Sequence, residues 1–264
     1  MIIKKFFLYF ALLILRNIPI FFIRKKFSKL VGPYFDGIVG KTAYGFPMIS
    51  KLHDNMNRIG FEGSYGIVAE FIINIPTNSM YIDIGANQGC TSILADYALN
   101  RKGKKLEILA FEPSPSIYSL MKKNINLNKC NKIKTFNQAI SATYDQLYLD
   151  ETNLGNSGAS HISSKGSKVM ASPLTLEDIK IYGLYENIYI KIDTEGYELS
   201  VLEGIRELLE AKLVRKMIIE IDDRHLKKYG NSISDVYNYC HKYNYKPTYG
   251  LKKLGHYDEV FVEK

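Results

Sequence analysis

Acidic side chains are absent from the first thirty residues of the chain. Residues 1–30 hold seven Lys and Arg residues and no Asp or Glu, whereas the remaining 28 basic and 27 acidic residues nearly cancel. The formal net charge of +8 and the pI near 9.1 are therefore properties of an N-terminal arm. A nucleic-acid-binding surface would instead cluster basic residues on the folded part of the chain. We therefore expect no nucleic-acid partner.

The chain also lacks an apolar run long enough to cross a bilayer. The run over residues 6–15 is too short, and its extension to Ile23 is interrupted by Arg16 and Pro19. No small-x-small cleavage site follows, which disfavours a signal peptide. Apolar residues combined with basic ones are typical of helices that lie in the membrane interface. We predict that residues 1–31 form a helical arm at the membrane surface; the alternative is a helix docked on the protein's own core.

Cysteine is scarce, and its three positions form no recognisable pattern. Cys90, Cys130 and Cys240 are widely separated, with no C-x-x-C spacing. Neither a disulfide framework nor a zinc site is indicated. Buried free thiols are typical of a reducing cytoplasm, so we expect a cytoplasmic protein, peripheral at the inner face of the cell membrane.

From residue 80 onward, short apolar runs alternate with helix-like segments. This alternation predicts an α/β fold, a mostly parallel sheet covered by helices. The predicted strands are residues 80–84, 106–111, 133–137, 188–192 and 217–221, and the predicted helices are residues 88–99, 115–127, 198–209 and 233–242.

Two further segments carry structural expectations. Strand-like pieces at residues 246–249 and 260–262 predict a C-terminal antiparallel hairpin that completes the sheet. A polar interval at residues 152–168 predicts a long loop, which we interpret as a substrate lid in preference to a merely mobile segment.

The loop after the first predicted strand reads Asp83-Ile-Gly85-Ala-Asn87-Gln-Gly89. A dinucleotide fingerprint needs a second glycine where Asn87 stands, so NAD or FAD is disfavoured. A phosphate-binding P-loop needs a lysine, and residues 80–99 contain none. S-adenosylmethionine has no pyrophosphate, so its loop tolerates a side chain between the glycines.

Acidic and polar residues follow the first three predicted strands, where a nucleoside cofactor would bind. Asp83 suits the cationic methionine part of S-adenosylmethionine, directly or through water. Glu112 ends the second strand and suits the ribose hydroxyls. Gln138 and Ala139 follow the third strand, where the edge of an adenine would lie.

The sequence resembles the FkbM family of S-adenosylmethionine-dependent methyltransferases in three ordered blocks, YIDIGANQG, FEPSPSIYSLMKKNINLN and IKIDTEGYELSVLEGI, followed by IIEID. The resemblance implies a class I, Rossmann-like methyltransferase fold. It also implies an enzyme that often methylates hydroxyls of surface-glycan sugars or secondary metabolites. The positions that match the family motifs are Asp83, Gly85, Asn87 and Gly89, then Glu112 with Pro113, then Asp193, Glu195, Gly196 and Glu198. Where the family usually has an apolar residue before the second glycine, this chain has Gln88. This departure puts the packing of the following helix in doubt.

Methyl transfer to a hydroxyl needs alignment of the reactants and removal of a proton. Asp193, Glu195 and Glu220 are predicted at the carboxyl ends of strands, where acceptors bind, so one of them is a candidate base. His225 is a further candidate, because its pKa lies near neutrality. Alternatively, Asp193 with Glu220 or Asp222 holds a divalent cation that orients the acceptor.

These observations define one expected enzyme and its rivals. We expect residues 62–264 to form an S-adenosylmethionine-dependent O-methyltransferase domain, acting on a sugar hydroxyl of a surface glycan or lipid-linked glycan precursor. The alternatives are another small molecule or secondary metabolite as acceptor, an NAD-dependent oxidoreductase, or an inactive membrane-bound scaffold. Glu62 is expected to be a solvated acid.

Overall fold

Strands and helices alternate along most of the chain in the computed structural model, which describes residues 2–18, 21–99, 103, 105–150, 161–163, 165–183, 187–251 and 255–264. The strands are β1 (Val39–Lys41), β2 (Pro47–Ile49), β3 (Ser79–Ile84), β4 (Leu106–Phe111), β5 (Ile133–Phe136), β6 (Ala139–Ile140), β7 (Asp145–Asp150), β8 (His161–Ser163), β9 (Ser167–Ser172), β10 (Ile188–Ile192), β11 (Val214–Asp222), β12 (Tyr245–Pro247) and β13 (His256–Glu263). The helices are α1 (Ile2–Asn17), α2 (Phe21–Val31), α3 (Asn55–Glu62), α4 (Ile67–Ile73), α5 (Cys90–Ala98), α6 (Pro115–Leu127), α7 (Leu176–Lys180), α8 (Glu198–Gly204), α9 (Arg206–Glu210), α10 (Asp223–Lys228) and α11 (Ile233–Lys242).

A seven-stranded sheet in the order β12-β13-β11-β10-β3-β4-β5 forms the centre of the fold. The strands from β11 to β5 pair in parallel, and β13 joins them antiparallel to both β11 and β12. The predicted mostly parallel α/β sheet and its C-terminal hairpin are therefore confirmed. The order reverses between β3 and β10, and ligands of such sheets bind outside the strand ends at that point.

The two central strands are buried along their whole length. All six residues of β3 and all five of β10 are buried, as expected for parallel strands that are covered on both faces. Two charged residues interrupt this apolar centre. They are Asp83 of β3 and Lys191 of β10, which lie opposite each other in the strand pairing.

Helix α6 begins where its capping residues predict. The Ser114 hydroxyl accepts a hydrogen bond from the backbone N–H of Ile117 at 3.2 Å, and Pro115 occupies the first turn. The single helix predicted over residues 198–209 is instead two helices, α8 and α9. Ile205 separates them with backbone angles of −103° and 14°.

A second sheet, in the order β6-β9-β7-β8, corrects part of the predicted polar loop. Residues 161–163 and 167–168 belong to strands β8 and β9, although they fall within the predicted loop at 152–168. Residues 152–160 and 164 of that loop lie outside the described residues. The lid interpretation stays a prediction.

The N-terminal arm docks on the rest of the chain. Leu8, Leu12 and Leu15 of α1 are buried in the same apolar cluster as core residues of β3 and α5. The Arg16 Nε donates to the backbone carbonyl of Phe61 at 3.0 Å. This is the docking that the alternative interpretation of the arm predicts. Among the described residues, no helix is long and apolar enough to cross a membrane.

Glu62 is buried, which contradicts the expectation of a solvated acid. Its carboxylate accepts two bonds from Arg58, both at 2.7 Å, and lies 3.4 Å from Arg24 of the arm. Because α3 carries Glu62 and α2 carries Arg24, this ion pair fastens the arm to the domain.

Candidate active site

A cavity opens at the carboxyl ends of the central strands, where the sheet order reverses. The space in it that no atom occupies is about 670 Å3, a volume that includes open solvent at the entrance. The predicted site residues that line it are Gly85, Asn87, Glu112, Pro113, Gln138, Ala139, Asp193 and Glu195. The other four, Asp83, Gly89, Glu220 and His225, lie around this lining. Met56, Leu149 and Ile162 add apolar surface that the sequence did not predict.

The loop after β3 turns sharply beside the end of β10. Gly85 has φ of 78°, and a Cβ atom there would overlap the backbone carbonyl of Asp193. Gly89 has φ of 82° and precedes α5, where a Cβ would come within 2.9 Å of Met121. Asn87 also has a positive φ, 52°. Gly85 therefore allows the loop backbone to approach the end of β10 closely, and Gly89 allows α5 to pack closely against α6.

Gln88 fits this packing through polar contacts. Its side-chain carbonyl accepts a hydrogen bond from Asn57 at 2.7 Å, and its backbone carbonyl accepts one from Asn124 at 3.0 Å. The doubt that its polar side chain raised is resolved, since Gln88 is buried with its hydrogen-bonding groups paired.

Glu112 is buried at the cavity wall, and each carboxylate oxygen accepts one backbone hydrogen bond. The donors are the N–H groups of Asn87 and Ser114, both at 2.9 Å. Burial raises the pKa of Glu112 to about 7, although these two bonds oppose the rise. A carboxylate oxygen can accept a second bond, so capacity remains for ligand hydroxyls.

Asp83 lies behind the cavity wall, and its contacts are to protein groups. It is fully buried and accepts hydrogen bonds from the Thr91 and Ser92 hydroxyls at 2.7 and 2.5 Å. Lys191 Nζ lies 3.6 Å from its other oxygen. A contact between Asp83 and the methionine part of a cofactor stays a prediction.

Lys191 is the main charged residue that the sequence interpretation missed. Its ammonium lies 3.0 Å from Asp193 and 3.4 Å from the Gly85 carbonyl oxygen. Burial lowers the pKa of Lys191, but the attraction of Asp193 and Asp83 outweighs burial and raises it above the ordinary value. The available signal was a single lysine inside the apolar strand IYIKI.

Three predicted carboxylates come together, and two of them, Asp193 and Glu195, line the cavity. Oxygen atoms of Asp193, Glu195 and Glu220 lie within 4.8 Å of one another. Burial, reinforced by the charges of Glu220 and Asp193, raises the pKa of Glu195 to about 9. Burial and the charge of Asp193 raise the pKa of Glu220 to about 8. Both carboxyls therefore hold protons more readily than exposed acids do.

A histidine lies next to each of the two carboxyls with a raised pKa, Glu195 and Glu220. His225 Nδ1 lies 2.7 Å from Glu195, and burial lowers the pKa of His225. His256 Nε2 lies 2.8 Å from Glu220, and this hydrogen bond raises the pKa of His256 to about 9. The sequence interpretation included His225 but missed His256, which lies in the C-terminal hairpin.

Asp222 and Glu198 have local structural roles. Asp222 caps α10, accepting from the Arg224 backbone N–H at 2.9 Å and pairing with its guanidinium at 2.7 Å. Glu198 accepts bonds from Thr194 and Gly196 and so shapes the turn before α8. The acidic cluster contains Asp193 and Glu220, one of the two pairs that the sequence interpretation offered for a cation, and adds Glu195 to them.

Comparisons with known proteins identify a family. The model of the methyltransferase FkbM domain matches residues 83–247. The chain is 29% identical over 182 residues to methyltransferase sdnD of Sordaria araneosa, covering 56% of this chain and 68% of that protein. It is 22% identical over 139 residues to hexuronic acid methyltransferase AglP of Haloferax volcanii, covering 53% of this chain and 54% of that protein.

The comparisons also include a solved structure. The crystal structure of methyltransferase FkbM from Methylobacillus flagellatus matches with a TM-score of 0.48 and 15% identity. The match covers 96% of this chain and 58% of that chain. The chain thus spans little more than half the length of that protein and of the Haloferax relative.

Proposed function

Because the chain belongs to the FkbM family of S-adenosylmethionine-dependent methyltransferases, we propose that it methylates a sugar hydroxyl of a surface glycan or lipid-linked glycan precursor. The observation that supports this function is one cavity lined both by Gly85, Asn87 and Glu112 and by Asp193 and Glu195. Donor-binding groups and acids able to take a proton therefore face the same space.

The lining fits S-adenosylmethionine by charge and by hydrogen-bonding capacity. The Glu112 carboxylate has acceptor capacity for ribose hydroxyls, and Gln138 and Ala139 line the same cavity. The gathered acids favour a cationic ligand, because an opposite charge stabilises ionised carboxylates. When bound, S-adenosylmethionine supplies an electrophilic methyl group on a positively charged sulfur.

We assign removal of the acceptor proton to Glu195, with His225 as a positioning residue. Glu195 lines the cavity, whereas His225 contacts it from behind at 2.7 Å. The Glu195 carboxyl ionises more readily once a positive charge enters the cavity. Asp193 is held by Lys191 at 3.0 Å and is therefore the less available base.

Variants distinguish these roles. Glu195→Gln should lower kcat by about 10²–10⁴-fold, as expected for loss of a general base, and leave binding of S-adenosylhomocysteine intact. His225→Gln should shift the pH profile of kcat/KM, which a purely structural role would not do. If the Glu195→Gln variant transferred methyl groups as fast as the wild type, Glu195 would not be the base, and the assignment would pass to Asp193.

A divalent cation competes with this proton-sharing arrangement for the same acids. Carboxylate oxygens of Asp193, Glu195 and Glu220 suit a hard cation. Lys191 already pairs with Asp193 and His256 with Glu220, which favours transfer without a metal.

The sugar acceptor and the membrane location rest on two observations. One relative, AglP of Haloferax volcanii, is described as a hexuronic acid methyltransferase. The arm of this chain combines exposed apolar side chains with basic ones, which suits the inner face of a cell membrane. Methyl transfer to another small molecule or secondary metabolite is the second candidate, since sdnD is described only as a methyltransferase.

Mass spectrometry of surface glycans tests the proposal. Glycans from cells that lack this protein should lose about 14 mass units, one CH₂, from a sugar. Re-expression of the wild-type chain should restore the mass, and Glu195→Gln should not. Unchanged glycans in cells where S-adenosylmethionine-dependent transfer to another small molecule disappears would support the second candidate. The inactive-scaffold alternative predicts no change in either pool.

A further inference from the structure

Helix α1 has two apolar faces, and only one of them is covered by the domain. The inner face, Leu8, Ala11, Leu12 and Leu15, is buried. The outer face, which we define as Ile3, Phe6, Phe7, Phe10 and Ile14, is 47% to 72% exposed. The outer residues follow the i, i+3, i+4, i+7 spacing of a single helix side.

The outer face is aromatic in character. The rings of Phe6 and Phe10 lie 4.9 Å apart, and Phe7 lies 6.1 Å from Phe6. Large aromatic side chains clustered at the surface are unusual for a face that meets only water. They are typical of helices that insert their apolar side at the boundary of headgroups and acyl chains.

The charge of the arm as a whole selects the kind of surface that its outer face fits. Residues 1–30 carry no acid. Lys4 and Lys5 lie exposed on α1, and Lys25 and Lys29 lie exposed on α2. A basic arm that also carries an exposed apolar helix side is attracted to anionic lipid headgroups.

The arm can use its outer face without leaving the domain. Arg16 donates to backbone carbonyls of Phe61 and Lys41, at 3.0 and 2.9 Å, and Arg24 pairs with the buried Glu62. These contacts all lie on the domain side of the arm. With its 16 residues, about 24 Å at helical rise, α1 is also shorter than a bilayer core.

We propose that the outer face of α1 is a docking surface for an anionic membrane, on which the helix lies in the interface while its inner face stays packed on the methyltransferase domain. Lipid binding by this face rests on the membrane location that we propose for the enzyme. It requires neither acceptor nor methyl transfer, so the two can fail separately.

Vesicle co-sedimentation of the full chain tests this surface. The wild-type protein should sediment with equimolar phosphatidylcholine and phosphatidylglycerol vesicles, and less with phosphatidylcholine alone. The combined variant Phe6→Gln, Phe7→Gln and Phe10→Gln keeps good helix formers and should weaken partitioning at least about tenfold. Replacing Lys4 and Lys5 by Gln should weaken binding to the anionic vesicles about fivefold per lysine.

A matched control removes exposed apolar side chains elsewhere. Tyr144, Met170 and Ile181 are at least as exposed as the three phenylalanines, and they lie outside the arm. Their combined replacement by Gln should leave vesicle binding unchanged. Circular dichroism and thermal unfolding verify that all variants fold.

Three results would overturn the assignment. The first is wild-type protein that stays in solution with anionic vesicles. The second is a triple phenylalanine variant that binds as well as the wild type. The third is a wild-type protein that binds no vesicles but forms a dimer without lipid, detected by sedimentation velocity, together with loss of that dimer in the triple phenylalanine variant. The outer face would then join two copies of the chain. Calorimetric binding of S-adenosylhomocysteine without vesicles tests the methyltransferase function independently.

Discussion

Replacing Glu112 by Gln should change the pH dependence of stability by a calculable amount. Burial raises the pKa of Glu112 from an ordinary value of 4.5 to about 7. Between these values the unfolded chain releases the proton while the native chain keeps it, so the native state loses stability as pH rises. The gap corresponds to about 3 kcal/mol, fully expressed above about pH 7.

Gln does not titrate, so the variant escapes this loss. The free energy of unfolding of Glu112→Gln, minus that of the wild type, should rise by about 3 kcal/mol between about pH 4.5 and pH 8. The hydrogen bonds to Asn87 and Ser114 that Gln disturbs add an offset, but that offset is the same at every pH. Other titrating groups are common to both proteins and cancel in the difference.

Urea unfolding at several pH values measures this difference directly. Glu70→Gln is the control, because this exposed substitution on α4 should stay within about 0.5 kcal/mol at each pH. A difference for Glu112→Gln that stays flat across the window would refute the link between burial and titration. The same variant should bind S-adenosylmethionine about tenfold or more weakly, since a charged acceptor for the ribose is lost.

Three further perturbations test the site. Gly85→Ala should destabilise the protein by several kcal/mol more than Gly37→Ala in urea unfolding, because both have φ near 77° but only Gly85 abuts the Asp193 carbonyl; equal losses would show that the loop can relax. Binding of S-adenosylmethionine at about pH 8 should release protons, since a positive charge lowers the pKa of Glu195 from about 9. Calorimetry in two buffers of different ionisation enthalpy measures this release, and an equal release with S-adenosylhomocysteine would contradict the electrostatic reason. Dialysis against EDTA should leave transfer intact, whereas a loss that Mg²⁺ or Mn²⁺ restores would assign the three acids to a metal.

The central strands could be predicted because their signals are local. Strands β4 and β10 have the predicted bounds, since each is a short run of mostly apolar residues with the length that a buried parallel strand requires. Helix α6 was predicted to the residue, because Ser114 and Pro115 fix its start. These features place the carboxyl ends of the strands, and with them most of the cavity lining.

Contacts between distant parts of the chain could not be predicted. Lys191 and Asp83 become neighbours only through the pairing of β10 with β3, which no local pattern specifies. His256 reaches Glu220 because β13 lies antiparallel to β11, and a histidine before a short strand carries no signal of this role. The break at Ile205 likewise interrupts a continuous helical pattern, and the sequence alone does not show it.

The charges around the cavity suggest why the donor binds and its product leaves. Asp193, Glu195 and Glu220 repel one another, and the structure limits this repulsion with Lys191 and with protons held at the two glutamates. A sulfonium in the cavity adds the positive charge that this arrangement lacks, so it should bind better than an uncharged sulfur of the same shape. Methyl transfer removes that charge, and the acids then regain their protons. The cluster to which we assign the acceptor's proton would therefore also favour exchange of product for fresh donor.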